Sequence, residues 1–296
     1  MNVLLTGANG FLGKQFVLTY SDKVKLKCLG RGSDNTFQSD IRHHINEFDE
    51  IFDQVIHCAG KAHSLPKNEL DADDFFAVNH QGTLNLLNSL KNHIPKQFIF
   101  ISTVAVYGKE TGILISEENS LDGITPYAKS KILAENEILR WGKLNNVKTL
   151  ILRLPLIAGS NPPGNLGKMI SGIKSGRYFS IARGIARRSA VIAEDVTQFV
   201  LENPNSHGIY NLTDGYHPSF HEIEEVIKEQ LGGKKIKTIS TSVSKMIGRV
   251  GDFIPKSPVN SNIISKMIND LTFDDSKAKN QIGWSPRRVI DAFKIR

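Results

Sequence analysis

Tyr127 and Lys131 stand four residues apart in the stretch TPYAKSK, Thr125 to Lys131. A spacing of four puts two side chains on one face of a helix, with Cβ atoms about 5 to 6 Å apart. A phenol that titrates near pH 10 can then share a pocket with an ammonium that favours its ionised form. Such a phenol gives or takes a proton near neutrality. The same residues also read as the start of a surface helix after Pro126, with Lys129 and Lys131 in water.

A second cluster lies near residue 10. TGANGFLG carries Gly7, Gly10 and Gly13 at intervals of three, after the apolar run NVLLT and before a helical pattern. Glycines there allow a tight turn and let a pyrophosphate approach the amides of a helix N-terminus, where the dipole also favours an anion. At the end of the next strand a carboxylate would hold a ribose 2′-hydroxyl, whereas an arginine would accommodate a 2′-phosphate. Here the strand ends CLGRGS, with Gly30 in the acidic position and Arg31 after it. NADP(H) is therefore the expected preference, with NAD(H) possible. Asp40, in QSDI, is placed either to receive the adenine amino group or to cap a turn.

Positioning these groups requires a particular scaffold. Through the first half, short apolar runs alternate with longer amphipathic segments, the pattern of βαβ units on a parallel sheet. NVLLTG, KVKLKCLG, DQVIHCAG, KQFIFIST and VKTLILRL read as strands, and DDFFAVNHQGTLNLLNSLKNH and YAKSKILAENEILRWGKL as helices. In the second helix Ile132, Leu133, Ile138 and Leu139 are expected to form the buried stripe, with Lys129 and Glu137 on other faces. Beyond Arg153 come the Gly/Pro-rich AGSNPPGNLGK, a strand GIYNL and a helix SFHEIEEVIKEQLG. The expected fold class is α/β: a Rossmann, doubly wound parallel sheet over 1–155 and a smaller, mainly substrate-binding lobe over 156–296, with chain crossings back to the sheet.

The 296 residues, 40% hydrophobic and 23% charged, are ordinary soluble material with enough chain for a large core. The longest apolar run, around Phe98 to Tyr107, falls well short of the roughly 20 residues that span a bilayer. An apolar strand pattern begins at the second residue, so no targeting peptide is expected, and the location is read as cytoplasmic. Cys28 and Cys58 sit singly in apolar runs, and no close Cys/His cluster points to a metal. The net charge of +7 admits nucleic acid, a membrane surface or an anionic small molecule. With the basic residues read as spread along the chain and no aromatic-basic motif, nucleic acid is not an expected partner.

The order of TGANGFLG, VIHCAG, VNHQGTLNLL, ISTVAVYG and PYAKSK resembles that of the extended short-chain dehydrogenase/reductase family, of the NAD-dependent epimerase/dehydratase type. The resemblance covers nearly the whole chain. It implies that the dinucleotide lies against Gly7, Asn9, Gly10, Phe11, Leu12 and Gly13, against Arg31, Asp40 and Ile41, and against Cys58, Ala59 and Gly60. It also implies a catalytic set of Thr103, Tyr127 and Lys131, with Ser102 as the neighbouring hydroxyl. In these roles Thr103 orients the substrate oxygen and Tyr127 exchanges its proton. Lys131 lowers the phenol pKa and holds the nicotinamide ribose.

The second half resembles the nucleotide-sugar branch of the family. LRLPLIAG looks like the entry into the substrate lobe, PPGNLGKMI like a substrate-binding asparagine loop that nominates Asn165, and RRSAVIAEDV like the stretch whose arginine holds a diphosphate. Arg188 occupies that arginine's place, with Arg187 a rival. Val104 and Ala105 stand where a 4,6-dehydratase has an Asp-Glu pair, so dehydration is not expected. Two reactions are left, NAD(P)H-dependent reduction of the C4 ketone of a UDP-4-keto-6-deoxy-N-acetylhexosamine and 4-epimerisation with retained NAD. The Gly30–Arg31 reading favours the reductase, in surface-polysaccharide biosynthesis. A non-catalytic dinucleotide-binding regulator is disfavoured by the intact Thr/Tyr/Lys set, and a homodimer is a family-level expectation.

Overall fold

The computed structural model describes residues 1–62, 69–233, 235–254 and 260–295. In chain order the first half runs β1 (Asn2–Thr6), α1 (Phe11–Tyr20), β2 (Lys25–Gly30), β3 (Phe37–Gln38), β4 (Gln54–His57), α2 (Glu69–Phe76), α3 (Gly82–Ser89), β5 (Gln97–Thr103), β6 (Gly112–Ile115), α4 (Pro126–Asn145) and β7 (Lys148–Leu154). A π-turn over Ala77–Gln81 joins α2 to α3. Then follow β8 (Leu156–Ala158), α5 (Gly164–Ser175), β9 (Phe179–Ile181), β10 (Ala190–Ile192), α6 (Ala193–Glu202), β11 (Gly208–Asn211), α7 (Phe220–Gln230), β12 (Lys237–Ile239), α8 (Thr241–Asp252), α9 (Ser261–Ile268), β13 (Leu271–Phe273), α10 (Ser276–Ile282) and α11 (Val289–Ala292).

Seven strands form one sheet in the order β11-β7-β5-β4-β1-β2-β3, and every pairing is parallel. Parallel neighbours need crossovers, and these put helices on both faces. Strand alternation divides the core accordingly. Val3, Leu5, Ile99 and Ile101 face a layer with Phe16 and Tyr20 of α1 and Val196 and Phe199 of α6. Leu4, Phe98 and Phe100 face the opposite layer, with Leu86 and Leu87 of α3 and Ala134 and Ile138 of α4. The chain leaves β1 in one direction through β2 and β3 and returns to β1's other side as β4. A crevice at the carboxyl ends of the strands opens at that reversal.

The remaining residues build a smaller cluster around Leu166, Met169, Ile173, Ile223 and Ile227, with the parallel pairs β8–β10 and β9–β12 beside it. This part is interleaved with the sheet: β11 supplies the outermost strand, and α6 packs against α1.

Helix α4 departs from the expected stripe. Its buried face carries Ala128, Lys131, Ala134, Glu135, Ile138 and Gly142, whereas Leu133 is 39% exposed. The cause is rotational. Turning Tyr127 and Lys131 toward the sheet brings the positions one, two and three turns beyond them inward, and Leu133 lies about 120° from Tyr127 and about 160° from Lys131 around the helix.

Candidate active site

Each group sits at the carboxyl end of a strand or the first turns of a helix. After Thr6 the backbone turns through Gly7 at φ +76°, where a Cβ would stand 2.6 Å from the Ala59 amide nitrogen. A Cβ on Gly13 would lie 1.9 Å from the Gly7 carbonyl oxygen. The Gly10 amide donates to that carbonyl at 2.9 Å, and Gly10 caps α1. No larger side chain fits either position, and the loop delivers the unpaired amides of the first turn of α1 to the crevice. Asn9 and Gly10 are exposed there, Phe11 is partly exposed and Leu12 is buried beneath.

The cradle continues on the neighbouring strand ends. Cys58, Ala59 and Gly60 follow β4, and a Cβ on Gly60 would come 3.2 Å from Asn79 Oδ1 and 3.6 Å from Lys131 Nζ. The position needs a bare backbone, and a flat ring can lie against it. A dinucleotide fits this set. Gly7, Gly10 and the first turn of α1 would take its pyrophosphate, and Gly60, Tyr127 and Lys131 its nicotinamide end.

At the end of β2, Gly30 has the Asn35 side chain across it and Arg31 extends into solvent. Asp40 gives both carboxylate oxygens to Arg42, at 3.1 Å from Nε and 2.7 Å from Nη2. These bonds hold its carboxyl below the usual range. Arg42 continues to Asp74, and Asp74 pairs with Lys61 at 2.7 Å. Ile41 is buried between them, and Gly82 leaves it room.

Thr103 ends β5 and caps the following turn, its Oγ1 accepting from the Ala105 amide at 3.2 Å. Its own proton is left for the Tyr127 phenol, and the neighbouring Thr103 hydroxyl draws that phenol's pKa down. Tyr127 enters on the first turn of α4. Thr125 caps that helix through the Ala128 amide, and Pro126 begins it. Lys131 follows one turn later, buried, with Nζ 4.1 Å from the centre of the Phe100 ring and donating to the Ile101 carbonyl at 2.7 Å. Burial brings its pKa to about 8, against the opposing pull of Cys58 and Glu135.

The sequence reading had the ammonium lowering the phenol pKa, but burial dominates here and pushes Tyr127 up to about 12. Burial likewise raises the Cys58 thiol to about 12. Ser102 also departs from its expected role. Strand alternation turns it away from Thr103, and its Oγ donates to the buried Glu135 carboxylate. Glu135 in turn accepts from Arg153 of β7, at 2.7 Å from Nη2.

Two positioning elements escaped the sequence reading. Asn79, in the π-turn, is buried; its Oδ1 accepts from the Lys61 amide at 2.7 Å, and its Nδ2 donates to the Lys61 carbonyl and to Ser130 Oγ. It pins the strand β4 loop to α4. His57 is buried between Thr6 Oγ1 (2.7 Å from Nδ1) and Thr83 Oγ1 (2.9 Å from Nε2). Thr83 spends its proton on the Asn79 carbonyl, so it must accept from Nε2–H. Nδ1 is then bare and accepts from Thr6, whose oxygen takes the Ala59 amide proton. Every group is paired with a neutral imidazole, and burial lowers His57 to about 3. A lone histidine inside an apolar strand gave no sign of this.

The lobe residues are dispersed. Asn165 is exposed on the first turn of α5. The Arg188 guanidinium is committed to backbone carbonyls at the end of α9, those of Lys266 and Asn269 (2.7 Å), and to Arg187, and it stacks on Phe220. In this structure it caps a helix instead of standing open for a diphosphate. Arg187 is exposed, donates to the His217 carbonyl at 3.0 Å and lies over Tyr216. The open cavity of about 960 Å³ bordered by Lys14, Gln15, Ser160 and Arg287 lies on the outer side of α1, and none of Thr103, Tyr127 or Lys131 lines it.

The profile of the NAD dependent epimerase/dehydratase family matches residues 3–213. The protein belongs to that family. Among curated relatives, this family member is 24% identical to a UDP-glucose 4-epimerase of Vibrio cholerae over 99% of its own length and 93% of the relative's. It is 27% identical to a putative UDP-arabinose 4-epimerase of Arabidopsis thaliana over 81% of its length, and spans 60% of that longer chain. Its fold is that of the Thermus thermophilus UDP-glucose 4-epimerase solved with NAD, at TM-score 0.73 and 22% identity over 97% of this chain and 94% of that one. The same fold occurs in RMD from Pseudomonas aeruginosa, solved with NADPH, at TM-score 0.73 and 21% identity over 98% and 96%. Neighbours of this fold thus bind NAD or NADPH. Among the described residues no helix is long and apolar enough to cross a membrane, and no group of His, Cys, Asp or Glu is arranged to hold a metal ion.

Proposed function

We propose that this protein inverts C4 of a UDP-sugar, with NAD retained throughout the cycle. The observation that carries the reading is the end-to-end match to a UDP-glucose 4-epimerase. This reverses the preference for reduction drawn from Gly30 and Arg31. The site chemistry agrees with it, because one proton carrier and no second acid-base pair is the minimum a reversible oxidation at one carbon needs.

Bound NAD supplies the acceptor and then the donor of the C4 hydride. Tyr127 takes the proton of the C4 hydroxyl and returns it to the same oxygen when the carbon is reduced from its other face. Thr103 donates to the phenolate oxygen before that proton is taken and again once it has been returned. Burial keeps the phenol protonated in the free protein, so the base form becomes available when positive charge enters the pocket. Lys131, fixed by Ile101 and Phe100, supplies a directed ammonium at the ribose. Arg187, exposed where Arg188 is committed, is the guanidinium for the diphosphate.

The test is incubation of purified protein with UDP-glucose and with UDP-N-acetylglucosamine, followed by proton NMR at H4. Both C4 epimers are expected from either starting sugar, without net change in nicotinamide absorbance. A product formed only in step with NADPH loss would overturn the epimerase and establish a second reading, reduction of a 4-keto UDP-sugar with NADP(H). One observation favours that second reading: Arg31 is exposed beside Gly30, and the strand closes on a glycine where a carboxylate would hold a 2′-hydroxyl.

A further inference from the structure

Helix α8 is built inside out. Its buried residues are Ser244, Gly248 and Gly251, which form a seam against α9; a Cβ on Gly248 would stand 3.1 Å from Ile264 Cγ1 and from Ser261 Cα. Its large apolar residues face outward. Val243, Met246, Ile247 and Val250 are all exposed, and the turn after the helix adds Ile254 and Phe253, the latter 87% exposed. At 100° per residue the four helix positions fall within one arc of about 100°. A water-facing helix places such an arc on the core.

The charge around this arc is equally uneven. Residues 232–268 hold seven lysines and arginines against one acidic residue. Arg249 and Lys245 follow one another around the helix on the side next to Met246. A narrow apolar face flanked by lysine and arginine is the pattern of a helix lying in the plane of an anionic bilayer surface. A second copy of the chain would bring the same positive charge against itself.

We propose that the outer face of α8, with Phe253 and Ile254, seats this protein on anionic lipid. The α8–α9 pair also touches the Ala182–Gly184 turn, and α9 holds Arg188 at its end. Docking therefore anchors the lobe beside the arginine pair. The inference does not depend on which C4 reaction the protein performs.

Flotation of the full-length protein with vesicles tests it. It should rise with vesicles of phosphatidylglycerol and phosphatidylcholine, stay behind with phosphatidylcholine alone, and detach in large part at about 0.5 M salt. The double variant Lys245→Gln, Arg249→Gln should lower the partition coefficient roughly thirtyfold. Met246→Glu with Val250→Glu should abolish flotation while leaving the circular dichroism and thermal midpoint unchanged, since both side chains already face water. Absence of binding to phosphatidylglycerol vesicles, or undiminished binding by that variant, overturns the proposal. So does a wild-type dimer in light scattering that the same variant splits, because a second copy would then cover the face.

Discussion

Arg153 of β7 and Glu135 of α4 form a two-point ion pair from which water is almost wholly excluded, their side chains being 3% and 1% exposed. Ser102 fills the carboxylate's remaining side and Tyr107 accepts from the guanidinium at 3.0 Å. Glu135 lies one turn beyond Lys131, so this pair fixes the rotation of the helix that presents Tyr127. Removing one member leaves a buried charge unmatched at about 3 to 5 kcal/mol. Glu135→Gln and Arg153→Met should each lose that much in urea unfolding. A Glu135→Leu, Arg153→Met double variant should recover most of the loss.

Tyr127→Phe should lower kcat by 10²- to 10⁴-fold, the usual contribution of a positioned proton carrier. Dinucleotide binding, followed by quenching of tryptophan fluorescence, should be nearly unchanged. Retained turnover would remove Tyr127 from the chemistry.

Lys131 makes stability depend on pH in a defined direction. Its folded pKa, about 8, lies below the unfolded value of about 10.5, so between them the unfolded chain binds more protons. Stability should therefore rise as pH increases from about 8 to about 10.5, by up to about 3 kcal/mol at 1.36 kcal/mol per unit. The rise should be missing in Lys131→Met, measured by denaturant midpoints across that range.

His57 acts at the other end of the scale. With a folded value near 3 and an unfolded value near 6.5, its neutral form contributes stability above pH 6.5 that is lost as pH falls toward 3. Thr6→Val removes both the donor to Nδ1 and the acceptor of the Ala59 amide. It should lower stability at neutral pH by about 1 to 3 kcal/mol.

Gly30→Asp tests the cofactor reading. The added Cβ meets only the Asn35 side-chain end, at 3.0 Å, which can swing away. A carboxylate there should weaken NADPH at least tenfold and strengthen NAD; equal effects on both would show that this strand end does not sense the 2′ position.

Much of this was legible in the sequence because local pattern and tertiary role coincided. Five apolar runs before residue 155 became β1, β2, β4, β5 and β7; β1, β4, β5 and β7 are buried on both faces, whereas β2, nearer the sheet edge, buries only Leu29 fully. Leu133 shows where that logic stops: hydrophobicity alone put it inside α4, whereas the need to turn Lys131 and Glu135 inward decided the rotation. The commitments of Arg188 and Ser102 were equally out of reach. A guanidinium that binds carbonyls at the end of a distant helix has the same sequence signature as one waiting for phosphate.

The π-turn at Ala77–Gln81 carries one further consequence. Such a turn holds one residue more than a regular helix would, so α2 and α3 are out of phase by about 100° along a nearly continuous rod. The first half can then offer Phe75 to the Tyr127 ring, while the second sends Leu86 and Leu87 into the sheet layer. Deleting a single residue here would yield a more regular helix and a poorer protein. Asn79 would swing off its loop, and the reading frame of the core side chains would slip against the cleft they support.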